Sequence, residues 1–147
     1  MSIPLADLID PKLIALDLRG STRPEGMREI VDLLVVNGKI DNAERFLSEL
    51  RERESINSTY AADGIAFPHA RTKLVDEIVL GVGRSANGVP WTNKGEVANL
   101  IFLIAVPEIL ISDYLVVVGA IARATKDRPL RTLLLHAESV EDFTATL

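Results

Sequence analysis

The stretch Asn99-Leu100-Ile101-Phe102-Leu103-Ile104-Ala105-Val106 decides the fold, because almost every side chain in it is apolar. An apolar run without alternation predicts a central strand that is covered on both of its faces. Residues 13–18, 64–68 and 77–83 are further strand candidates. The second of these should end at Pro68 or lie on an edge, because proline cannot donate to a strand ladder.

Helical patterns occur on both sides of these strands. Residues 20–24 open a helix with an apolar stripe at helical spacing, and Asn37-Gly38 is a typical stop. A second helix is predicted to begin at Asp41, whose carboxylate can cap it. The last third of the chain is predicted to be helical, with helix starts at Ser112 or Asp113, at Asp127 and at Ser139.

The alternation of strands and helices predicts an α/β fold. We expect residues 1–147 to form a single domain, in which a mixed, mostly parallel β-sheet is flanked by helices. A chain of 147 residues is long enough to bury the core that such a domain needs.

The bulk composition excludes several classes of protein. The net charge is −5, and the sixteen basic residues are dispersed, so the sequence argues against nucleic-acid binding. The absence of cysteine excludes disulfides and thiolate metal sites. The two histidines are distant from each other and lack metal-ligand spacing, so we expect neither a metal nor a cofactor.

No stretch of the sequence predicts a membrane segment. Residues 1–7 have no basic region ahead of an apolar one, so they do not resemble a signal peptide. The longest apolar run, residues 100–106, is far short of the roughly 18 residues that a membrane-spanning helix needs. The sequence therefore predicts a cytoplasmic protein without direct membrane insertion.

His69 is the residue best placed to carry chemistry. It follows Pro68 at the predicted end of a strand, where the fixed φ of proline gives the chain a stiff trajectory. An imidazole titrates near pH 6.5, so a neutral nitrogen nucleophile exists at neutral pH without special activation. The alternative is an ordinary solvated loop histidine, and composition alone favours that alternative.

The surrounding motif changes this balance. The segment Gly64-Ile65-Ala66-Phe67-Pro68-His69-Ala70-Arg71 resembles the phosphorylation-site signature of the type-2 (mannitol/fructose, including nitrogen-regulatory) enzyme IIA domains of the bacterial sugar phosphotransferase system. Arg53-Glu54 followed by Ser58-Thr59, and Ala105-Val106-Pro107, stand at the spacing of that family. The resemblance extends from about residue 5 onward and implies the phosphotransferase/anion-transport-protein-like fold.

The resemblance implies that His69 accepts a phosphoryl group from an HPr-like phosphocarrier and passes it to a IIB component, with Nε2 as the attacking atom. The resemblance implies an enzyme in one sense alone, that of a phosphotransferase component with a phosphohistidine intermediate. Arg53 matches an arginine that faces the site in the family, and a guanidinium binds two phosphate oxygens at once. The alternative for Arg53 is a solvated residue at the end of its helix, paired with Glu49.

Further residues receive roles from the same resemblance. The hydroxyls of Ser58 and Thr59 and the loop at Asp63 and Gly64 are candidates to bind phosphate. Phe67 and Arg71 are candidates for the surface that contacts a partner protein.

The sequence departs from the family in two places. In the loop that is usually glycine-rich, Tyr60 and Ala62 stand in place of two glycines, and Asp63 stands in place of an amide. These changes should weaken a phosphate-binding loop. Tyr114 stands where the family usually has a second active-site histidine. By this resemblance Tyr114 is a candidate catalytic residue whose phenol would donate one hydrogen bond, although it cannot supply an imidazolium charge.

These departures leave other functions open. One alternative is a regulatory module that controls a partner protein by docking, with weakened or no phosphoryl transfer. An inactive relic is a third. The sequence identifies no sugar.

Overall fold

The structure, a computed structural model, describes residues 5–110 and 113–147, with side chains for 7–110 and 115–147. The described helices are α1 (Leu5–Leu8), α2 (Arg23–Val36), α3 (Ala43–Ile56), α4 (Asp113–Lys126), α5 (Arg128–His136) and α6 (Val140–Thr146). The described strands are β1 (Ile14–Ala15), β2 (Tyr60–Ala62), β3 (Ile65–Ala66), β4 (His69–Thr72), β5 (Val79–Pro90) and β6 (Val97–Pro107). A single 3-10 turn covers Pro11–Leu13.

The predicted α/β fold with a mixed, mostly parallel sheet flanked by helices is confirmed. In the described part of the chain the six strands form one sheet, in the order β1-β5-β6-β3-β2, and β4 pairs with β6 beyond the end of β3. Three of the five pairings among these strands are parallel, and β5–β6 and β2–β3 are antiparallel.

Strand β6 is central and is covered on both faces, as its apolar sequence predicts. Its residues from Leu100 to Val106 are completely buried. Ile101, Leu103 and Ala105 belong to a core cluster with residues of α2 and α3. The alternating residues of β6 join a second cluster with residues of α4, α5 and α6. The two clusters place one layer of helices on each side of the sheet.

Helix capping follows the sequence at most of the predicted ends. Thr22 and Glu25 form a capping box at α2, Gly38 takes a positive φ of 72° just beyond it, and Asp127 and Ser139 cap α5 and α6. The predicted cap at Asp41 is wrong, since Asn42 accepts from the backbone N–H of Arg45 and caps α3 instead. The predicted cap of α4 at Ser112 or Asp113 lies outside the described side chains.

Two strands differ in length from their predictions. The first strand is only Ile14–Ala15, since Leu13 belongs to the 3-10 turn before it and residues 16–18 leave the strand after it. The predicted strand 77–83 extends much further, to Pro90, where it pairs along β6. The third strand, β3, ends at Ala66, before Pro68, and the chain resumes the ladder at His69, in parallel register opposite Ile104.

Residues 60–66 form a hairpin that the sequence analysis does not anticipate. Ala62 pairs with Ile65, and the two residues between them, Asp63 and Gly64, have φ values of 54° and 82°. Positive φ at both central positions is what a type I′ hairpin turn requires, and Asp-Gly is a preferred pair for it. The signal was therefore present in the sequence.

No helix in residues 5–110 and 113–147 is long and apolar enough to cross a membrane.

The packing of α2 on β5 generates a stability prediction at Gly81. A Cβ added at Gly81 would lie 2.7 Å from Cγ2 of Ile30, which is completely buried. Overpacking of this kind costs about 1–3 kcal/mol, so Gly81→Ala should lower the free energy of unfolding in urea by that amount. Gly119→Ala is the matched control, because its Cβ meets only the end of the exposed Arg123 side chain. That helix-interior change should stabilise the protein by about 0.5–1 kcal/mol. Equal effects at both glycines would contradict the prediction.

Candidate functional site

His69 begins β4 at the point where the chain rejoins the sheet after Pro68. The carbonyl of Pro68 accepts from the backbone N–H of Ile104 at 2.9 Å. Proline has no backbone N–H, but its carbonyl still takes part in the strand ladder. The carbonyl of Phe67 lies 2.8 Å from Nδ1 of His69. A carbonyl can only accept, so Nδ1 carries the hydrogen of this bond.

The ring of His69 is kept neutral. Burial lowers its pKa below the usual 6.5, and the nearby charge of Arg53 lowers it further, against opposing contributions from the Phe67 carbonyl and Glu54. A neutral imidazole that is protonated on Nδ1 has its lone pair on Nε2. In this tautomer the hydrogen is on Nδ1 and the lone pair is on Nε2, and the attack of Nε2 on phosphorus stays a prediction.

His69 opens onto a pocket between the end of α3 and β4. The pocket has a volume of about 510 Å³ and is lined by Glu49, Glu52, Arg53, Ile56, His69, Ala70 and Arg71. Two guanidinium groups and one imidazole therefore share an open cleft with two carboxylates on its α3 side. The cleft has room and positive donors for a phosphoryl group.

Arg53 stands close to His69, but it is not paired with Glu49. Its Nη1 donates to the carbonyl of Asn57 at 2.8 Å, just past the end of α3. Glu49 instead accepts from the hydroxyl of Thr72 at 2.7 Å and lies 3.9 Å from Nε of Arg45. Among the described side chains, no carboxylate lies within ion-pair distance of Arg53. A guanidinium has five N–H donors, so the bond to Asn57 leaves others to bind an anion.

Glu54 is a site residue to which the sequence analysis assigns no role. It is only 6% exposed. Its carboxylate accepts from the backbone N–H of Thr59 at 2.6 Å, from the hydroxyl of Thr59, and from Nε1 of Trp91 at 3.1 Å. The signal was its position four residues after Leu50, which continues the buried stripe of α3.

Ser58 and Thr59 are placed differently from a phosphate cradle. The hydroxyl of Thr59 donates to Glu54, so its one proton is already used. Ser58 is exposed, and its Oγ accepts from the backbone N–H of Tyr60 at 3.1 Å. Neither residue lines the pocket of His69.

The structure does not bring Asp63 and Gly64 to His69. Gly64 precedes Ile65, which pairs with Leu100, whereas His69 pairs with Ile104. Four residues of strand separate these levels by roughly 13 Å. The expected contact with phosphate at Asp63 and Gly64 is therefore corrected, since strand geometry places the turn away from the pocket.

Tyr60 and Asp63 fasten this hairpin to the rest of the protein. The hydroxyl of Tyr60 accepts from the backbone N–H of Gly64 at 2.9 Å and donates to the carbonyl of Val97 at 3.2 Å. The carboxylate of Asp63 lies 3.6 Å from Nη1 of Arg131 on α5. The residues that depart from the family loop therefore have structural partners here.

Phe67 cannot serve as a partner-contact residue. It is only 6% exposed and stacks on Phe102 with ring centroids 6.0 Å apart. Phe67 lies between β3 and β4 and packs in the second core cluster, so the prediction that it forms part of a partner surface is wrong. Arg71 is exposed and lines the pocket. Tyr114 lies in the first turn of α4, but its side chain is outside the described part of the chain.

No group of three or more carboxylate and imidazole side chains converges as a metal site within the described residues.

Known structures share this fold. The nitrogen regulatory protein IIA-Ntr from Neisseria meningitidis superposes with a TM-score of 0.87, at 24% identity and 97% coverage of each chain. The IIA mannitol structure from Escherichia coli gives a TM-score of 0.80, at 22% identity, covering 94% of this chain and 97% of that one.

Relatives in sequence are closer still. The fructose-specific EIIA component of Haloferax volcanii is 33% identical over 129 residues, which cover 87% of this chain and 84% of the relative. The fructose-specific EIIABC component of Bacillus subtilis is 29% identical over 136 residues, which are 92% of this chain but only 21% of that protein. The family model described as "Phosphoenolpyruvate-dependent sugar phosphotransferase system, EIIA 2" matches residues 7–147. This chain therefore belongs to the type-2 enzyme IIA family of the phosphoenolpyruvate-dependent sugar phosphotransferase system.

Proposed function

We propose that the protein is a phosphocarrier that accepts a phosphoryl group on His69 from a phosphorylated HPr-like protein and passes it to a IIB component. The observation that carries this proposal is the state of His69. Its Nδ1–H is held by the carbonyl of Phe67, and its neutral ring opens onto a cleft beside Arg53. The proposed partners, and with them the protein, would be cytoplasmic.

The residues at hand suit phosphoryl transfer. This reaction asks mainly for in-line positioning and for positive charge around the transferred group. The lone pair of Nε2 would attack phosphorus as the bond to the donor histidine breaks. The N–H groups of Arg53 would bind the equatorial oxygens, and the incoming group would bring about −1.5 to −2 charges to balance the cations of the cleft.

The rim of the cleft offers a place for a protein partner. Ile56 at the end of α3, which is 77% exposed, and the exposed Arg71 on β4 both line the cleft. An apolar side chain with flanking charges is typical of a transient protein interface. A complex between IIA mannitol and phosphorylated IIB mannitol of Escherichia coli shares the fold of this chain, with a TM-score of 0.79. This similarity supports a IIB component as acceptor.

A second candidate function is regulation of a partner protein. Two observations favour it: the similarity to the nitrogen regulatory proteins of Neisseria meningitidis and Bradyrhizobium diazoefficiens, and the hairpin fastened by Tyr60 and Asp63 in place of a glycine-rich loop. The two candidates differ in whether His69 must hand on a phosphoryl group. Phosphorylation in vitro therefore comes before any search for a regulated partner.

Phosphorylation of His69 is the first test. The purified protein, incubated with phosphoenolpyruvate, enzyme I and HPr, should gain one acid-labile phosphoryl group by intact mass. His69→Gln should gain none, because an amide nitrogen is not nucleophilic. A folded protein without an adduct, with HPr of its own host supplied, would contradict the phosphocarrier proposal and favour the regulatory candidate.

The two arginines of the cleft should contribute unequally. Arg53 is half-buried and lowers the pKa of His69, whereas Arg71 is exposed and screened by solvent. Arg53→Ala should therefore slow phosphorylation of His69 by roughly tenfold or more, since a charged hydrogen bond contributes about 1.5–3 kcal/mol. Arg71→Ala is the matched control and should lose less. The reverse order in a single-turnover assay would refute the role of Arg53.

The buried ring of His69 also predicts a pH dependence. Burial and Arg53 lower the pKa of His69 below 6.5, so between the two values the unfolded chain binds more protons than the folded one. The stability that this group contributes is complete above about pH 6.5 and falls as the pH drops towards the folded pKa. An NMR titration of His69, assigned with His69→Gln, should give a midpoint below that of the same residue in denaturant. A midpoint equal to or above the denatured value would contradict the prediction.

A further inference from the structure

A buried carboxylate lies one residue from Arg53, and the proposed chemistry does not use it. Glu54 stands in the last turns of α3 and contacts two other parts of the fold. Thr59 precedes β2, and Trp91, which is only 2% exposed, follows β5. The donors are two groups of Thr59 and Nε1 of Trp91.

The carboxyl group of Glu54 accepts three hydrogen bonds, two from Thr59 and one from Trp91. A buried carboxylate is unfavourable unless it is hydrogen-bonded, and here both oxygens have donors. Packing alone would be served by an apolar side chain at this position, as at Leu50 one turn earlier. The chain instead places a hydrogen-bonding carboxyl group there, which argues for a requirement other than core volume.

A continuous set of hydrogen bonds runs from this carboxylate to His69. Glu54 holds Thr59 by its N–H and its hydroxyl. The carbonyl of Thr59 accepts from the backbone N–H of Phe67 at 3.0 Å. The carbonyl of Phe67 in turn accepts from Nδ1 of His69. Phe67, whose carbonyl determines the tautomer of His69, is therefore itself positioned by Thr59, which Glu54 holds.

We propose that Glu54 is a positioning residue that holds Thr59 and Trp91. Through Thr59 it places the carbonyl of Phe67, which keeps His69 protonated on Nδ1. Through both contacts it fixes the end of α3, which keeps Arg53 at the cleft. The inference deepens the proposed phosphocarrier function and rests on it, because the rate of phosphorylation at His69 is informative only if the protein is a phosphocarrier. The positioning itself can be measured in the unphosphorylated protein.

The inference also assigns a different role to Thr59. Its hydroxyl serves Glu54, and it does not contact phosphate directly. The distinction is measurable, because a phosphate ligand matters only when phosphate is present, whereas a positioning group affects His69 at all times.

The test uses variants that keep volume and change one hydrogen-bonding group. Glu54→Gln retains size but loses the charge, and Thr59→Val removes only the hydroxyl donor. Thr59→Ser restores that donor. Ser85→Ala is the control, since it removes another buried hydroxyl, which accepts from the N–H of Gly88 on β5. Urea unfolding identifies the variants that fold.

Three readouts are taken on each folded variant. Long-range ¹H–¹⁵N NMR gives the tautomer of His69 in the unphosphorylated protein. Emission of Trp91, the single tryptophan of the chain, reports the bond to Glu54. Single-turnover transfer from phosphorylated HPr gives the rate at His69.

Glu54→Gln should shift the emission of Trp91, lower the fraction of His69 protonated on Nδ1, and slow phosphorylation by roughly ten- to hundredfold, as a misplacement of about 1 Å can. Thr59→Val should act in the same direction and Thr59→Ser should recover the tautomer. Ser85→Ala should change none of the three.

Two results would overturn the inference. One is a wild-type tautomer in both Glu54→Gln and Thr59→Val. The other is a slower rate in Thr59→Val with no change in tautomer or emission, which would identify Thr59 as a direct phosphate ligand. If the wild type takes no phosphate, the phosphocarrier proposal fails, and the tautomer measurement still decides the positioning of His69.

Discussion

The rest of the structure depends on the burial of β6 on both of its faces. Its residues from Leu100 to Val106 have no exposed surface, so a shift of one residue would exchange the side chains of two separate cores. Such a strand has one favourable register with each neighbour. The register of β6 thereby aligns β3 and β4, with Ile65 opposite Leu100 and His69 opposite Ile104.

The chemistry of His69 follows from the way its strand is interrupted. Pro68 has no N–H to give to the ladder, and Phe67 uses its carbonyl for the imidazole that follows. The short break between β3 and β4 therefore determines which nitrogen of the ring carries the hydrogen. The ring is half-buried, so it stays neutral while it remains open to the cleft beside Arg53.

The departures from the family pattern lie mainly at the other end of the hairpin. Tyr60 bonds Gly64 and Val97, and Asp63 reaches Arg131, so the loop is fastened to the sheet and to α5. The turn stands about four residues of strand away from His69, roughly 13 Å. Tyr60, Ala62 and Asp63 do not line the cleft of His69 and Arg53.

Local patterns in the sequence determined much of this protein. The apolar run of residues 99–106 predicted the central strand, and Thr22, Asp127 and Ser139 predicted helix starts. These features depend on side chains within a few residues of one another, so periodicity and capping rules reach them. The choice of His69 as the candidate nucleophile rested instead on the resemblance of residues 64–71 to a family motif.

Only the tertiary structure decided which of the neighbouring polar groups serve the site. Glu54 binds Trp91, 37 positions away in the sequence, and Arg53 donates to Asn57 instead of pairing with Glu49. Phe67, between β3 and β4, packs against Phe102 in a core. Spacing along the chain permits each alternative equally. The choice among them is made when the helix layer is packed on the sheet, because burial then requires every polar group inside to find a partner.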